Sequence, residues 1–130
     1  MTTHLASCRC CQLTAVATGT PVRISVCHCL NCQKRSGSAF AAQVRFPAAQ
    51  VTTSGEAKTY TATGENGAVH FHFCPECGST VTYSNDSIPD TIAIALGAFD
   101  DPYAFVPNIS VYEERQHEWL EIAGDVEHYE

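Results

Sequence analysis

Eight of the 130 residues are cysteine, and seven of them fall into three tight groups: Cys8-x-Cys10, Cys27-x-Cys29-x-x-Cys32 and Cys74-x-x-Cys77. Cys11 follows the first group directly. Thiols this close in sequence are poor disulfide partners within a group, but they suit an ion that gathers several thiolates around one point. The N-terminal stretch MTTHLASCRCCQ has no basic segment leading into a long apolar one, so no secretory signal is expected. The expected compartment is therefore the reducing cytoplasm, where structural disulfides are rare. A redox role for Cys74 and Cys77 would call for a βαβ setting, and no long helical period flanks them.

The segment Cys74-Pro75-Glu76-Cys77-Gly78 is the sharpest local signal. Two thiolates on a tight turn supply half of a tetrahedral zinc site, and Gly78 lets the backbone adopt a positive φ just past the second ligand. A zinc ribbon would complete the site with a second C-x-x-C about fifteen to twenty residues away, and the chain has none. The remaining donors are the N-terminal C-x-C and the central C-x-C-x-x-C.

The elements that must position these thiols read as strands. Val22, Ile24 and Val26 alternate with Arg23 and Ser25, and Phe40, Ala42, Val44 and Phe46 with Ala41, Gln43 and Arg45. Val69, Phe71 and Phe73 alternate with His70 and His72, and Ile92, Ile94 and Leu96 with alanines. This is the period of a strand with two unlike faces. Weaker strands are expected over residues 13–18, 58–62, 80–83 and 109–112. Turn signals at Gly19–Pro21, Ser54–Gly55, Gly64–Gly67 and Asp100–Pro102 separate them. One helical turn is expected at Cys29–Arg35, and no amphipathic helix of three turns. The reading is an all-β chain forming one domain over residues 1–130.

Composition narrows the function. Apolar residues make up 45% and charged residues 16%, with no run approaching the ~20 residues of a membrane span. Seven basic against 14 acidic residues give a net charge of -7, which argues against a general nucleic-acid or anionic-membrane binder. Half of the acids lie in Glu113–Glu130, expected to be a solvated tail rather than a partner surface.

The three cysteine groups, in this order, resemble the family of glutathione-dependent formaldehyde-activating enzymes and centromere protein V. The residues that carry the resemblance are Cys8-x-Cys10, the run from Cys27-His28-Cys29 through Cys32 to Gly37 and Phe40, and Phe73-Cys74-Pro-Glu-Cys77-Gly78. The segments Leu96–Pro102 and Ser110–Leu120, with His117 and Trp119, are similar too. The chain departs from the pattern with Cys11, where the family commonly has glycine, and with Asn108, where many members carry histidine.

The resemblance implies an Mss4-like fold of zinc-stabilised antiparallel sheets with little helix. It implies a structural zinc on Cys8, Cys10, Cys74 and Cys77, and a second, catalytic zinc on Cys27, Cys29 and Cys32 with one open position. The implied activity is that of a carbon–sulfur lyase, S-(hydroxymethyl)glutathione synthase, joining glutathione to formaldehyde. Three thiolates on zinc leave an electron-rich ion that suits a soft thiolate ligand better than an acidified water. The alternatives are a closed second site, with His28 or Cys11 as fourth ligand, and hence a non-catalytic binding module, or a zinc hydrolase acting on another small molecule. A chromatin role fits poorly with the acidic balance.

Seven thiolates and two zinc ions would take the net charge to about -10. Glutathione is itself an anion and would need local bases. Lys34 and Arg35 just after Cys32 are the substrate-binding candidates, followed by Arg23 and Arg45 on neighbouring strands. His70 and His72 are expected on an outer polar face rather than on a metal. His117 is a candidate acid or base, ranked below a structural role.

Overall fold

The computed structural model describes residues 1–64 and 67–130. In chain order its strands are β1 (Thr3–Ser7), β2 (Thr14–Thr18), β3 (Arg23–Cys27), β4 (Ala41–Pro47), β5 (Val51–Ser54), β6 (Lys58–Gly64), β7 (Gly67–Phe73), β8 (Thr80–Asn85), β9 (Thr91–Ala95), β10 (Ile109–Val111) and β11 (Glu127–His128). One short helix, α1 (Leu30–Ser36), follows β3. The remaining helical segments are single 3-10 turns. The chain is thus mostly β, consistent with the expected Mss4-like fold. Glu65 and Asn66, the middle of the turn expected at Gly64–Gly67, lie outside the described residues.

The strands form two sheets, β1-β2-β5 and β11-β10-β3-β4-β9-β8-β7-β6. The alternation read from the sequence sets the inner face of the large sheet. Val44 and Ile94 sit directly opposite each other on β4 and β9, and both are fully buried with Phe46. The small sheet meets them with Ala6, Ala15 and Ala17. Alanine in all three places lets the two backbones approach closely around the larger side chains, as dense packing requires. Burial of each large side chain such as Phe46 or Ile94 contributes about 1.5–3 kcal/mol. Cys8 and Cys74 belong to this same core, so one thiol cluster lies where the two sheets meet.

Three strands escape the sequence reading. β1 (Thr-His-Leu-Ala-Ser) lacks β-branched alternation, and its inward residue is the small Ala6 while Leu5 faces out. β5 carries one apolar residue, and β11 is only two residues long. The sheets are also not purely antiparallel, because β10 pairs parallel with both β3 and β11.

The acidic C-terminal segment is mostly exposed in its side chains, with Glu113 half-buried, but it is not a free tail. The Glu127 N–H donates to Asn108 O at 3.1 Å, Tyr129 N–H to Ser110 O at 2.8 Å, and Glu113 N–H to Tyr129 O at 3.0 Å. Main-chain bonds hold it, and charge counting is blind to those.

Candidate metal centres

Cys8 and Cys10 leave β1 on a turn, and Cys74 and Cys77 leave β7 on another. Their four Sγ atoms lie within 4.8 Å of one another. Cys10 Sγ is 3.6 Å from Cys8 Sγ and, across 64 residues of chain, 3.7 Å from Cys74 Sγ. Sulfurs bound tetrahedrally at ~2.3 Å to one zinc are about 3.8 Å apart, so the spacing fits that ion. The knuckle turn closes as the sequence requires, with Gly78 at φ +80° and its N–H donating to Cys74 O at 2.8 Å.

Donors surround the sulfurs. The N–H groups of Leu13 and Glu76 point at Cys8 and Cys74 at 3.3 and 3.4 Å, and the Gln12 side-chain amide donates to Cys74 Sγ at 3.0 Å. The Ser79 hydroxyl and the backbone pull the Cys77 thiol down to about 5. Burial pushes Cys74 up, but the Gln12 and backbone donors outweigh it and its pKa is lowered. Cys10 goes the other way, to about 12. The backbone bond at Gln12 pulls it down, and burial and the neighbouring thiols push harder. Thiols packed this tightly cannot all ionise by themselves, and a divalent cation removes that conflict.

Gln12 went unread in the sequence. Besides Cys74, its side chain donates to Glu56 O at 2.7 Å and accepts from Glu56 N–H at 3.0 Å. It therefore ties the first cysteine loop to the turn after β5. Gly55 makes this possible, since a Cβ there would sit 2.1 Å from Gln12 O.

The second cluster is made by the end of β3 and the start of α1. Cys27 is the last residue of the strand. Cys29 is the helix N-cap, its Sγ accepting from Cys32 N–H at 3.3 Å. One helical turn then brings Cys32 back, and the three Sγ atoms lie within 4.8 Å of one another. The hydrogen bond from Cys32 lowers Cys27 to about 6, helped by Cys29 and by the charge of Arg35. Cys32 is raised, first by its bond to Cys27 and then by burial. This is the same conflict as in the first cluster, with three donors instead of four.

Neither fourth ligand considered from the sequence joins them. His28 points into the protein, with Nε2 2.9 Å from Ser110 Oγ. Cys11 lies by the first cluster, 3.8 Å from Ser7 Oγ, and belongs to neither group. Among the described residues, no fourth His, Cys, Asp or Glu ligand atom accompanies Cys27, Cys29 and Cys32.

The basic candidates separate. Lys34 is exposed. Arg35 lies over the rings of Phe71 and Tyr83, at 4.6 and 5.1 Å from their centroids, and its Nε is buried without a partner. Arg45 donates to Thr91 Oγ1 at 2.9 Å and sits directly opposite Arg23.

The histidines are engaged in structure. His70 bridges Thr61 and Asp86, and His72 bonds Thr59, each at 2.9–3.0 Å. His117 Nε2 is 2.9 Å from Gln33 Oε1, and the Gln33 amide donates to His28 O and Arg115 O. His117 thus braces α1 against the later motif, and Trp119 packs beside it with ring centroids 5.4 Å apart.

These features define a β scaffold with two convergent thiol clusters, one of four donors and one of three. Over residues 3–115 the chain matches the family model described as glutathione-dependent formaldehyde-activating enzyme, and it belongs to that family. Among solved structures, it is similar to a crystal structure of a Rhodobacter sphaeroides protein from a structural genomics effort. The TM-score is 0.60 at 15% identity, covering 74% of this chain and 87% of that one. At that identity the likeness speaks for the fold. No curated protein matches this chain. No helix among the described residues is long and apolar enough to cross a membrane.

Proposed function

We propose that this chain is a cytoplasmic, zinc-dependent carbon–sulfur lyase of the S-(hydroxymethyl)glutathione synthase type. The observation that carries the reading is the three-thiol cluster, which gathers Cys27, Cys29 and Cys32 with no fourth His, Cys, Asp or Glu ligand atom among the described residues; in this reading the fourth position is open to a ligand from outside. In this reading Cys8, Cys10, Cys74 and Cys77 hold a structural zinc, and Cys27, Cys29 and Cys32 hold the second. When bound there, the ion would supply the charge that keeps an incoming glutathione sulfur as thiolate at neutral pH.

The chain's own residues do the rest. The Cys29 cap and the Gln33–His117 brace fix the direction of the three thiols. Arg35 places positive charge beside them and favours an anionic sulfur. In the reaction the sulfur adds to the carbonyl carbon of formaldehyde, one C–S bond forms, and the proton given up by the thiol ends on the carbonyl oxygen. The reaction also proceeds uncatalysed, so the expected rate gain is modest. An all-thiolate donor set weighs against the hydrolase alternative, because it acidifies bound water poorly.

The test is metal analysis of protein purified without chelator, followed by the rate of adduct formation from glutathione and formaldehyde. About two zinc per chain and a rate above background that is lost in Cys29→Ser are expected. One zinc per chain and a background rate would assign the molecule to the binding-module alternative.

A further inference from the structure

β6 closes one end of the large sheet, and among the described residues no strand pairs with its outer edge. An open edge is a row of free main-chain donors and acceptors, and proteins generally shorten it, cover it, bulge it or charge it. The other edges of this molecule follow that rule. β11 has two residues and β5 four. β1 is covered by the chain that follows β9, through a bridge between Ala6 and Phe99 and through the Asp100 N–H, which donates to Leu5 O at 2.9 Å. β6 is the exception. It has seven residues, Lys-Thr-Tyr-Thr-Ala-Thr-Gly, nearly all exposed, with no proline and an unbroken register against β7.

Alternation decides which groups this edge offers. The Asp86 N–H donates to Ala68 O at 3.0 Å, so Ala68 turns its main chain toward β8. Gly67, Val69, Phe71 and Phe73 then turn theirs toward β6. Their partners Gly64, Ala62, Tyr60 and Lys58 are thereby satisfied within the sheet. Thr59, Thr61 and Thr63 point their N–H and C=O groups outward. The hydroxyls of Thr59 and Thr61 are engaged by His72 and His70, each at 2.9 Å. On the opposite face Tyr60 is 60% exposed and stacks on Phe71, with ring centroids 6.3 Å apart. Ala62 is the next residue along that face.

We propose that β6 pairs antiparallel with β6 of a second copy of this chain, about a two-fold axis at Thr61. This surface is independent of the proposed function. In that register Thr61 faces Thr61, and Thr59 faces Thr63 in both directions, which makes about six main-chain hydrogen bonds. A slip of two residues keeps only about four. The side chains agree with the same register. Tyr60 falls opposite Ala62 of the second copy in a non-hydrogen-bonded pair, where side chains come closest, and the small alanine leaves room for the ring. Charge selects the same surface. Two copies of net charge -7 repel each other, and β6 and β7 contain no acidic residue. Lys58 falls opposite Gly64 of the second copy, so no like charges are opposed. The contact uses the same patch on both molecules and closes as a dimer. β6 is five strands from β3 in the sheet order, about 24 Å at the usual strand spacing, so the three-thiol cluster stays clear of the seam.

The experiment is sedimentation velocity of zinc-loaded protein from about 10 μM to about 1 mM, the range of a small edge contact. The wild type is expected to shift from monomer to dimer across that range. Added salt should favour the dimer, because it screens the net repulsion. Thr61→Pro removes the outward N–H at the axis and no bond between β6 and β7, and should weaken dimerisation at least tenfold. Thr61→Lys and Thr61→Glu each place like charges directly opposite one another and should each be monomeric. Their equimolar mixture should dimerise again, because opposite charges then meet. Zinc content should be unchanged in all three variants, and thermal melting checks that each is folded. A wild type still monomeric at about 1 mM would overturn the proposal and leave the edge to a strand of another protein. A dimer untouched by Thr61→Pro would place the contact elsewhere, and folded Lys and Glu variants that fail to pair when mixed would refute the two-fold at Thr61.

Discussion

Cys11 shows how far a single residue can be read from spacing. Its place after Cys8-x-Cys10 made it a candidate ligand, yet the structure puts it at φ +71° and outside both clusters. That backbone region costs a residue with a side chain about 1–2 kcal/mol and costs glycine nothing, which gives a physical reason for glycine at this place in the family. Cys11→Gly is therefore expected to keep all bound zinc and to change stability by less than about 1 kcal/mol, because glycine's greater unfolded entropy offsets the relieved strain. Loss of one zinc equivalent in that variant would make Cys11 a ligand. Gln12 is the opposite case, a residue with no sequence signal that holds Cys74 Sγ and the Glu56 backbone together. Partners of metal ligands typically contribute ten- to a hundredfold in metal affinity. Gln12→Ala should therefore weaken the first site by about that factor in a chelator competition and leave the second site untouched. The cysteine spacings were legible because both partners of each group are local. Gln12 was not, because its role depends on a segment 44 residues away.

At the scale of elements, the two clusters are built differently, and their failures should differ. The second is local: the end of β3, a cap residue and one turn of α1. No residue of α1 is buried, so the core does not depend on it. Cys29→Ser is expected to lose one zinc while the melting transition stays cooperative. The first cluster joins the two sheets through Cys8 and Cys74, both core residues, and Cys77→Ser should unfold the protein or leave it without a cooperative transition. Equal damage from the two substitutions would mean that both sites are structural. The elements themselves were legible wherever larger apolar residues alternate with polar or small ones, as in β3, β4, β7 and β9. This holds even though β3 and β9 are buried on both faces, with Ser25 beside Val26 and Ala93 beside Ile94. Where the inward residue is alanine, as in β1, or where main-chain bonds alone define the strand, as in β11, the pattern carries no signal. The packing of the basic side chains was half legible. Arg23, Arg35 and Arg45 were singled out by charge, but the approach of Arg35 and Arg45 to Tyr83 depends on the order β3-β4-β9-β8, which alternation does not specify.

For the whole molecule, the question is how metal and protons share control of stability. Structural zinc contributes on the order of 10 kcal/mol in small zinc domains, as much as the entire stability of a typical domain, about 5–15 kcal/mol. Chelation is therefore expected to unfold the chain rather than loosen it. Acid acts in the same direction through two routes. Protons compete with the metal for every thiolate. Burial also lowers the pKa of His28 and of His72 below the usual histidine value near 6.5. A histidine depressed in the folded state favours folding above its unfolded pKa, and that contribution is lost as pH falls through 6.5 and below. Glu113 follows at lower pH. Burial pushes its carboxyl up, but the bond with His128 outweighs this and its pKa is lowered, so its contribution disappears only below about 4.5. Urea unfolding in zinc-buffered solution should thus show stability falling from pH 7.5 to 5.5, and again below 4.5. His72→Gln keeps a hydrogen-bonding side chain opposite Thr59, and His72 belongs to neither thiol cluster. It should flatten the upper step without changing zinc content. Stability that rises as pH falls from 7.5 to 5.5 would refute both routes. An upper step unchanged in His72→Gln would leave the thiolates and His28 as its source.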